Sequence, residues 1–414
     1  MRFNPALNIA MVAACPFPTS QGSQVLIREL SETLARRGHR VHVVTYHFGE
    51  DQDCRGVKIH RIPQIFPYRK FRSGPEIRKP ILDLLLARKL DQVVREEKIQ
   101  IIHAHNYEAP LAAVPARALR KVPLVYHSHN TMSDEFYTYF RLKFPQFLAR
   151  FAAHIMDKTI PRQADFIIAV NRKVADFLIQ RGVPPYKIKY IPPGIEFGPL
   201  PQPNPALRRV LNLGDGPLIL YVGNLDGYQR LDLLIRALRI TFASHPDAKF
   251  VLLTGSDVRP FRRVLLDSGL DDRTVIFERL SFQQIKEICA LGTIAVNTRI
   301  SWSGFPIKLL NYMAAGLPVV AFSGSAAPVE HGVTGILVPP QDIEAFAAAM
   351  LKLLDDQDLC SRMGIEARKI AQRDYSWNEI ASLIEARYYQ LLGISPSIVL
   401  SEDKERFSTA VEFS

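Results

Sequence analysis

The chain has 414 residues, 47% hydrophobic and 22% charged, a balance typical of globular proteins with more than one core. No apolar run reaches the roughly 18–20 residues of a membrane-spanning helix, so we expect no segment that crosses a bilayer. The net charge of +11 is uneven, because residues 1–200 hold 30 Lys and Arg against 17 Asp and Glu. This half therefore has either an anionic partner, such as a nucleic acid, an acidic polymer or a membrane surface, or a basic surface without a specific partner.

The first apolar stretch, LNIAMVAAC at 7–15, predicts a buried β-strand. Its end, from Val12 to Cys15, has the small-residue pattern of a lipoprotein cleavage site, which is the alternative interpretation. The apolar run is short for a signal peptide, and a segment of helical periodicity begins at Gly22. We therefore predict a strand that is followed directly by a helix.

The four cysteines are scattered and form no CxxC pair, and no histidine pair lies near them in the sequence. This pattern predicts reduced thiols in a cytosolic protein and no metal site. The cysteines are Cys15, Cys54, Cys289 and Cys360.

Apolar strand-like runs alternate with helical segments over most of the chain. The runs of the first half are LNIAMVAA, VHVVTY, IQIIHAH, VPLVYHSH, ADFIIAV and IKYIPPG. Those of the second half are PLILYVGN, AKFVLLTG, TVIFERL, TIAVNTR, LPVVAF and GILVPP. This alternation predicts an α/β protein with two doubly wound, Rossmann-like domains, each with a parallel sheet and ligand sites at the carboxyl ends of its strands.

Proline-rich composition marks the boundary between the two series. Residues 191–209 hold many prolines without clear periodicity, so we predict an interdomain linker there. We place the first domain at 1–195, the second at 196–372 and a further helical segment at 373–394. The polar residues 395–414 lack a pattern and are predicted to be disordered.

The stretch PFPTSQGSQ at 16–24 joins the first strand to the first helix. Gly22 permits close backbone approach, and the helix start offers unpaired N–H groups to an anion. Gly22 and Ser23 are therefore candidate donor-binding residues. The chain has neither GxGxxG nor GxxxxGK[ST] spacing here, which argues against a nicotinamide dehydrogenase and a P-loop kinase.

Three motifs of the second half, YVGNLDGYQRLDLLIRALR, SGFPIKLLNYMAAGLPVVAF and HGVTGILVPPQDIEAFAAAM, resemble in order and spacing the retaining family-4 glycosyltransferases. The first half adds GSQVLIRELSETLARRGHRVHVVT and IIHAHNYEA, and RDYSWNEIASLIEARYY looks like the family's closing helix, which returns to the first domain. The resemblance implies the GT-B fold, with two Rossmann-like domains facing across a cleft. It also implies a UDP- or GDP-linked sugar donor in the second domain, a glycan or lipid-linked acceptor in the first, and neither a cofactor nor a metal.

The donor turn GNLDGYQR departs from the family pattern. In the family, an Arg usually follows the glycine and a Lys comes five positions later, and both bind the diphosphate. Here these positions are the neutral Asn224 and Gln229, after Gly223. Because hydrogen bonds from charged donors are the stronger ones, other cations are expected to restore the charge. The candidates are Arg230, Arg299 and Lys308.

The helix SGFPIKLLNYMAAG departs as well, because Ser303 and Asn311 replace the family's two glutamates. By resemblance, Ser303 meets the donor sugar, and Asn311 can pair with ribose hydroxyls through its amide. Lys308 in the first helical turn opposes the helix dipole unless an anion binds there, which indicates a ligand. We predict Ser303 and Lys308 as catalytic. The further donor contacts of this segment are Gly304, Phe305 and Ile307.

Two strand ends of the first half carry histidines. By resemblance, His129 contacts the donor sugar or the transition state, and it is predicted as catalytic. His105, Asn106 and Tyr107 are predicted to face the acceptor. Since side chains alternate along a strand, His127 and His129 should point to the same side. The alternative role for these histidines is to cap a strand by hydrogen bonding.

Two stretches, at 66–79 and 136–154, combine basic with aromatic residues. Such composition fits an anionic membrane surface. It also fits RNA or simple packing against the core, but no RNA-binding module accompanies it, so we expect no nucleic-acid partner. The predicted protein is a cytoplasmic, peripheral glycosyltransferase. The alternatives are a non-catalytic nucleotide-sugar- or glycan-binding relative, a nucleotide-sugar epimerase on the same fold and a nucleic-acid-binding protein.

Overall fold

The computed structural model describes residues 5–19, 22–50, 53–67, 78–136, 143–198, 204–302 and 304–394. The chain forms two compact units, each with its own parallel sheet. Unit 1 comprises Met1–Gly194, Ser303–Phe305 and Trp377–Ser414, and unit 2 comprises Ile195–Trp302 and Pro306–Ser376.

Unit 1 contains a seven-stranded sheet in the order β3-β2-β1-β4-β5-β6-β7, in which all pairs are parallel. The strands are β1 (Asn8–Ala13), β2 (Arg40–Thr45), β3 (Val57–Arg61), β4 (Ile101–His105), β5 (Leu124–Ser128), β6 (Phe166–Ala169) and β7 (Ile188–Tyr190). The helices are α1 (Gly22–Arg36), α2 (Lys79–Glu96), α3 (Glu108–Arg120), α4 (Met132–Glu135), α5 (Lys143–Thr159), α6 (Arg172–Gln180) and, late in the chain, α14 (Trp377–Leu391). The central strands are apolar and buried on both faces, as a sheet covered by helices requires.

Unit 2 contains a six-stranded parallel sheet in the order β10-β9-β8-β11-β12-β13. Its strands are β8 (Leu218–Val222), β9 (Lys249–Thr254), β10 (Thr274–Glu278), β11 (Ile294–Asn297), β12 (Val319–Phe322) and β13 (Gly335–Val338). Its helices are α7 (Pro205–Val210), α8 (Leu231–Ser244), α9 (Arg259–Asp267), α10 (Phe282–Cys289), α11 (Ile307–Ala314), α12 (Ile343–Asp355) and α13 (Gln357–Tyr375). The strand order reverses between β8 and β11, where doubly wound sheets bind their ligands.

The predicted fold class is confirmed, and every apolar run named above forms a strand. The sequence reasoning missed β3, with the sequence VKIHR. This strand lies at the edge of its sheet and is only half-buried, so polar and apolar residues alternate along it. Its pairing with β2, through Val43 and Ile59, is parallel.

The segment predicted as a linker, 191–209, includes secondary structure within its described residues, 191–198 and 204–209. Ile195 donates a backbone hydrogen bond of 2.8 Å to the Tyr375 carbonyl, and α7 begins at Pro205. The helical segment predicted at 373–394 is interrupted at Ser376 between α13 and α14. The predicted disordered residues 395–414 lie outside the described part of the chain.

Helix α14 packs within unit 1. The Arg37 guanidinium donates to both oxygens of the buried Glu385 carboxylate, at 2.5 and 2.8 Å, and the Trp377 indole donates to Glu29 at 2.7 Å. Burial raises the pKa of Glu385, but the hydrogen bonds from His39 and Arg37 outweigh it and hold that pKa below its usual value. Helix α14 is therefore held by hydrogen bonds to α1 and to Arg37, the residue that follows it, in unit 1, the unit that also contains β1.

The four cysteines are free, and three of them are buried. Among the described residues, no helix is both long and apolar enough to cross a membrane.

Candidate functional site

The turn after β8 begins at Gly223, which has a φ of +151° and a backbone N–H that donates to the Leu253 carbonyl at 3.0 Å. A Cβ atom there would lie 3.3 Å from the Tyr221 hydroxyl oxygen. The turn ends at Arg230, whose φ of +53° precedes α8. At position 223, the positive φ and the close approach of the Tyr221 side chain therefore favour glycine.

The two neutral residues of this turn contact one another. The Gln229 side chain is buried, and its Nε2 donates to Asn224 Oδ1 at 3.0 Å. The Asn224 amide nitrogen in turn donates to Asp226 Oδ2 at 2.7 Å and to the Tyr228 hydroxyl at 2.9 Å. These residues form a chain of polar groups that leaves the Oε1 atom of Gln229 available to a further donor.

That donor is Lys308. Its Nζ donates to Gln229 Oε1 at 2.7 Å and lies 4.3 Å from the centre of the Tyr221 ring. Lys308 is on α11, which follows β11, and Gln229 follows the neighbouring strand β8, so the strand-order reversal brings residues 79 positions apart together. Lys308 is one of the cations that the sequence analysis named as candidates to restore the lost charge. It contacts Gln229, which stands at the position where the family usually has a lysine.

Burial, together with the positive charge of the nearby Arg299, lowers the pKa of Lys308 from 10.5 to about 7. No carboxylate in the described part of the chain forms an ion pair with this ammonium group. Instead, its partners are an amide oxygen and an aromatic face. An ammonium group in such surroundings is stabilised when an anion binds to it.

The start of α11 adds a second source of positive potential. Pro306 precedes the first helical residue, Ile307, and no described side chain caps this end by hydrogen bonding. The first N–H groups of a helix and its dipole favour an anion at this end. The ammonium group of Lys308 and the N-terminus of α11 therefore belong to one local environment.

The other donor residues predicted in unit 2 are less closely grouped. The Arg299 guanidinium lies 5.3 Å from the centre of the ring of Tyr228, whose hydroxyl accepts a hydrogen bond from Asn224. Asn311 follows Lys308 by three positions, so the two share a face of α11. The Arg230 guanidinium donates to the Asp232 carboxylate at 2.8 and 2.9 Å, and its contact with a donor stays a prediction.

The remaining predicted donor residues lie in unit 1 or outside the described chain. Ser303 is not among the described residues. Gly304 and Phe305 are grouped with unit 1, where the Gly304 carbonyl accepts a 2.6 Å hydrogen bond from Asn171 Nδ2. Gly22 and Ser23 are the first two residues of α1, the helix that follows β1 in the chain.

Sequence reasoning missed three polar groups of the unit 2 site. The Thr298 hydroxyl donates to the Gln229 carbonyl at 2.9 Å, and the Tyr312 hydroxyl accepts from the Val222 N–H at 2.7 Å. Asn297 is fully buried, and neither of its amide atoms has a partner among the described residues. The available signal was its position, since a polar residue ends the apolar strand IAVN at the carboxyl edge of the sheet.

In unit 1, four histidines at the ends of β4 and β5 form one buried cluster. The rings of His103 and His105 stack at 4.5 Å, and those of His127 and His129 also stack at 4.5 Å, which confirms that alternate residues share a side. Across the strands, His103 Nε2 lies 3.1 Å from His127 Nδ1, and His105 Nδ1 lies 3.0 Å from His129 Nε2.

Burial holds all four imidazoles neutral at ordinary pH. It lowers the pKa of His129 to about 4 and that of His103 to about 3, and it moves the pKa values of His105 and His127 well below 6.5. A neutral imidazole donates one hydrogen bond and accepts another. The predicted catalytic His129 can therefore orient a substrate, but it carries no positive charge at neutral pH.

Two predicted acceptor residues are corrected by their burial. Tyr107 is 2% exposed, and its hydroxyl donates to Asp157 at 2.5 Å, so this side chain belongs to the core. His105 is 1% exposed and stacked among the other histidines. Asn106, with a φ of +63°, is partly exposed at the strand end, and its contact with an acceptor stays a prediction. The sequence indicated that these residues lie at the edge of the sheet, but not which of their side chains are buried there.

Family models match both halves of the chain. Glycosyltransferase Family 4 matches residues 20–197, and Glycosyl transferases group 1 matches residues 216–356. Among characterised relatives, the D-inositol 3-phosphate glycosyltransferase of Thermobispora bispora is 25% identical, with 90% of each chain covered. A GDP-mannose-dependent alpha-(1-6)-phosphatidylinositol monomannoside mannosyltransferase of Mycolicibacterium smegmatis is 26% identical over 56% of this chain and 64% of its own.

The fold is also that of known glycosyltransferase structures. The crystal structure of Anabaena HepE in complex with UDP and glucose matches with a TM-score of 0.74 and 19% identity, covering 93% of this chain and all of the other. Since the two family models together account for most of both units, the chain belongs to the family-4 glycosyltransferases and is a glycosyltransferase.

Proposed function

We propose that the protein is a retaining glycosyltransferase that binds a UDP- or GDP-linked sugar in unit 2 and transfers the sugar to a glycan or lipid-linked acceptor. The observation that carries this proposal is the half-buried Lys308 ammonium, which contacts Gln229 at the start of α11 and has no described carboxylate partner. Support for a nucleotide-diphosphate donor also comes from the names of the relatives, one GDP-mannose-dependent and one crystallised with UDP.

The geometry accounts for the chemistry that such a donor requires. Breaking the bond between sugar and phosphate leaves negative charge on the diphosphate. A fixed cation and helix N–H groups aimed at that charge stabilise the transition state more than the ground state. Lys308 supplies this charge, so the proposed reaction needs no metal ion at the diphosphate.

The neutral residues of the turn after β8 contribute to the same donor site. Gln229 fixes the ammonium group through its amide oxygen, and Asn224 fixes Gln229 in turn. Asn311 is placed one turn further along α11 for hydroxyl groups of the donor. In this proposal the cation at the diphosphate is Lys308 of α11 instead of a residue of the turn. Gln229 and Asn224, which stand where the family has cations, hold Lys308 in position.

The test is binding followed by turnover. Purified protein is screened by thermal shift against UDP- and GDP-linked sugars, because a ligand that binds the folded state raises its Tm by mass action. Donors that bind are then incubated with and without glycan and lipid-linked acceptors, and the anomeric configuration of the product is read by NMR. We expect transfer with retention.

Three outcomes contradict the proposal in different ways. Tight donor binding by folded protein without hydrolysis or transfer indicates a non-catalytic relative, for which the neutral Asn224 and Gln229 would be the explanation. An epimerised sugar formed from the donor alone indicates an epimerase. A product of inverted configuration contradicts retention and leaves the donor site in place.

We further propose that unit 1 docks on an anionic membrane through α5. The face of this helix opposite its buried residues Ala149, Ala153 and Asp157 carries large apolar side chains that are exposed to solvent. Their exposed fractions are 68% for Phe147, 51% for Leu148, 62% for Phe151 and 44% for Ile155.

Cations accompany this apolar face. Arg150 and Lys158 are exposed on the same helix, and the first 200 residues carry the whole excess of positive charge. A helix with one apolar face and flanking cations lies in the headgroup region of an anionic bilayer. The predicted stretch 66–79 falls mostly outside the described residues, so the proposal rests on α5.

Phe151→Ser should lower the affinity for vesicles that contain anionic phospholipid by on the order of tenfold, because inserting a phenylalanine contributes roughly 1.5–3 kcal/mol. The measurement is co-sedimentation with anionic and with neutral vesicles. Leu266→Ser on α9 is the matched control, since Leu266 is also 62% exposed. Equal losses in both variants, or no loss in either, would contradict docking through α5.

A further inference from the structure

We propose that His103, His105 and His127 form a binding site for a divalent transition-metal ion of the zinc class, between strands β4 and β5 of unit 1. This site is separate from the donor site in unit 2 and does not depend on the proposed transfer reaction. It also departs from the sequence-based prediction of no metal, which rested on the scattered cysteines and on the family resemblance.

The three side chains converge. One ring nitrogen of each lies within 4.8 Å of the corresponding nitrogen of the other two, and all three residues are buried. The sheet causes this convergence, because His105 lies opposite His127 in the parallel register and His103 precedes His105 on the same face. Ring nitrogens within 4.8 Å of one another can bind one ion at the zinc–imidazole distance of about 2.0–2.1 Å once the stacked rings of His103 and His105 rotate out of their parallel planes.

Two ring nitrogens of this group are available to an ion. The Nε2 atoms of His105 and His127 are buried, and neither has a hydrogen-bond partner among the described residues. A buried polar atom without a partner costs roughly 1–3 kcal/mol. A bound cation satisfies both atoms at once. Imidazole is a preferred ligand of zinc, nickel and copper ions.

Two of the opposite ring nitrogens, those of His103 and His105, are held by neighbours, as in known metal sites. His103 Nδ1 is hydrogen-bonded to the Tyr388 hydroxyl, and His105 Nδ1 is 3.0 Å from His129 Nε2. The third bond comes from His103 Nε2, which exchanges its 3.1 Å hydrogen bond to His127 for a bond to the ion. Three imidazoles then leave one tetrahedral position for water.

Neutral histidines are what such a site requires, because a protonated imidazole has no lone pair for a metal. All three residues are buried, and burial disfavours the protonated form of an imidazole.

Metal binding also determines the tautomer of His129, a consequence that rests on the proposed function. With the ion on Nε2, His105 carries its proton on Nδ1 and donates it to His129 Nε2. A neutral His129 then holds its own proton on Nδ1 and acts as a hydrogen-bond donor. The ion would thus position the predicted catalytic histidine while remaining outside the reaction.

The test uses the full chain purified without a polyhistidine tag. The protein is stripped with a chelator, dialysed and titrated with Zn²⁺ or Co²⁺, and bound metal is measured by atomic emission and by the visible spectrum of Co²⁺. We expect one equivalent per chain and a tetrahedral Co²⁺ spectrum. His105→Gln and His127→Gln should each weaken binding at least tenfold, with the fold checked by circular dichroism.

His60→Gln is the matched control, because His42, His60 and Glu97 form a second group near the surface that could hold an ion. This variant should bind Zn²⁺ like the parent protein. If the core variants fail to fold, the parent protein still tests the proposal, since Zn²⁺ should shift the ¹⁵N resonances of the Nε2 atoms of three histidines. The proposal is overturned if no metal binds above the dialysis blank, if His60→Gln removes the metal, or if those resonances do not move because water alone fills the site. Metal binding without glycosyl transfer would contradict the proposed function only, and transfer without metal binding would contradict this site only.

Discussion

Lys308→Met weakens the binding of a nucleotide sugar by about 10- to 100-fold, because hydrogen bonds to a charged group contribute about 1.5–3 kcal/mol each. The diphosphate loses the ammonium group that lies 2.7 Å from Gln229. The measurement is titration calorimetry with the donor found in the thermal-shift screen. Unchanged affinity would contradict the placement of the diphosphate at the start of α11.

The same substitution should not destabilise the ligand-free protein at pH 7 or below. A buried ammonium group without a carboxylate partner is unfavourable, and an apolar side chain of similar length removes this cost. We therefore expect the Tm of Lys308→Met to equal or exceed that of the parent protein, although donor binding is weaker. A fall in both quantities would indicate a structural role for Lys308. Arg230→Met is the control, since that guanidinium is held by Asp232 and its loss should change donor affinity far less.

The pH dependence follows from the lowered pKa of Lys308. Its value is about 7 in the folded protein and 10.5 when unperturbed, so the unfolded chain binds more protons between these values. Stability of the ligand-free protein therefore rises with pH across that window. A bound diphosphate raises the pKa of Lys308, so donor affinity should fall above pH 7 by up to tenfold per unit. The diphosphate diester of a nucleotide sugar does not titrate between pH 6.5 and 8.5, and Lys308→Met should flatten the profile over this range.

Asp157→Ala should lower the free energy of unfolding by roughly 3–5 kcal/mol, because it leaves several buried donors without a partner. The Asp157 carboxylate is fully buried in α5 and accepts from the Tyr107 hydroxyl at 2.5 Å. It also accepts from the Met132 N–H at 3.0 Å and from the N–H and hydroxyl of Ser133, at 2.9 and 2.5 Å. This one carboxylate therefore fastens the start of α4, a few residues after His129, to α5.

The measurement for Asp157→Ala is thermal unfolding, where a loss of this size in a unit of this length corresponds to a Tm lower by roughly 6–20 °C. Asp176→Ala on α6 is the matched control, since that carboxylate is exposed in the same unit and should shift the Tm by less than about 2 °C. If the two variants unfolded at the same temperature, Asp157 would not have the anchoring role described here.

Much of the fold could be predicted because its strands are apolar on both faces. Central strands of covered parallel sheets read as continuous apolar runs, and all twelve runs named from the sequence are strands. Strand β3 escaped because it lies at the edge, where Lys58 and His60 alternate with apolar residues. Position in the sheet, which depends on pairing with β2, decides whether such a stretch becomes a strand.

The donor turn could also be located from its glycine, but its contacts could not. Gln229 and Lys308 were both named as candidates, yet their hydrogen bond depends on β8 and β11 being neighbours in the sheet. Arg230 was an equally good candidate on spacing, and the local ion pair with Asp232 accounts for its guanidinium instead. Spacing along the chain indicates which residues reach an edge, and packing decides which of them meet.

The sequence by itself determined two Rossmann-like halves, their order and the strand ends that carry chemistry, because apolar periodicity and glycine turns are local properties. Only the tertiary structure decided that Tyr107 is a core residue, that Lys308 is half-buried beside Gln229, and that four histidines stack into one neutral cluster. These outcomes arise from residues far apart in the chain, and their burial sets both their protonation and their partners. The physical reason is that strand order in a parallel sheet brings distant loops together and desolvates the groups that they carry.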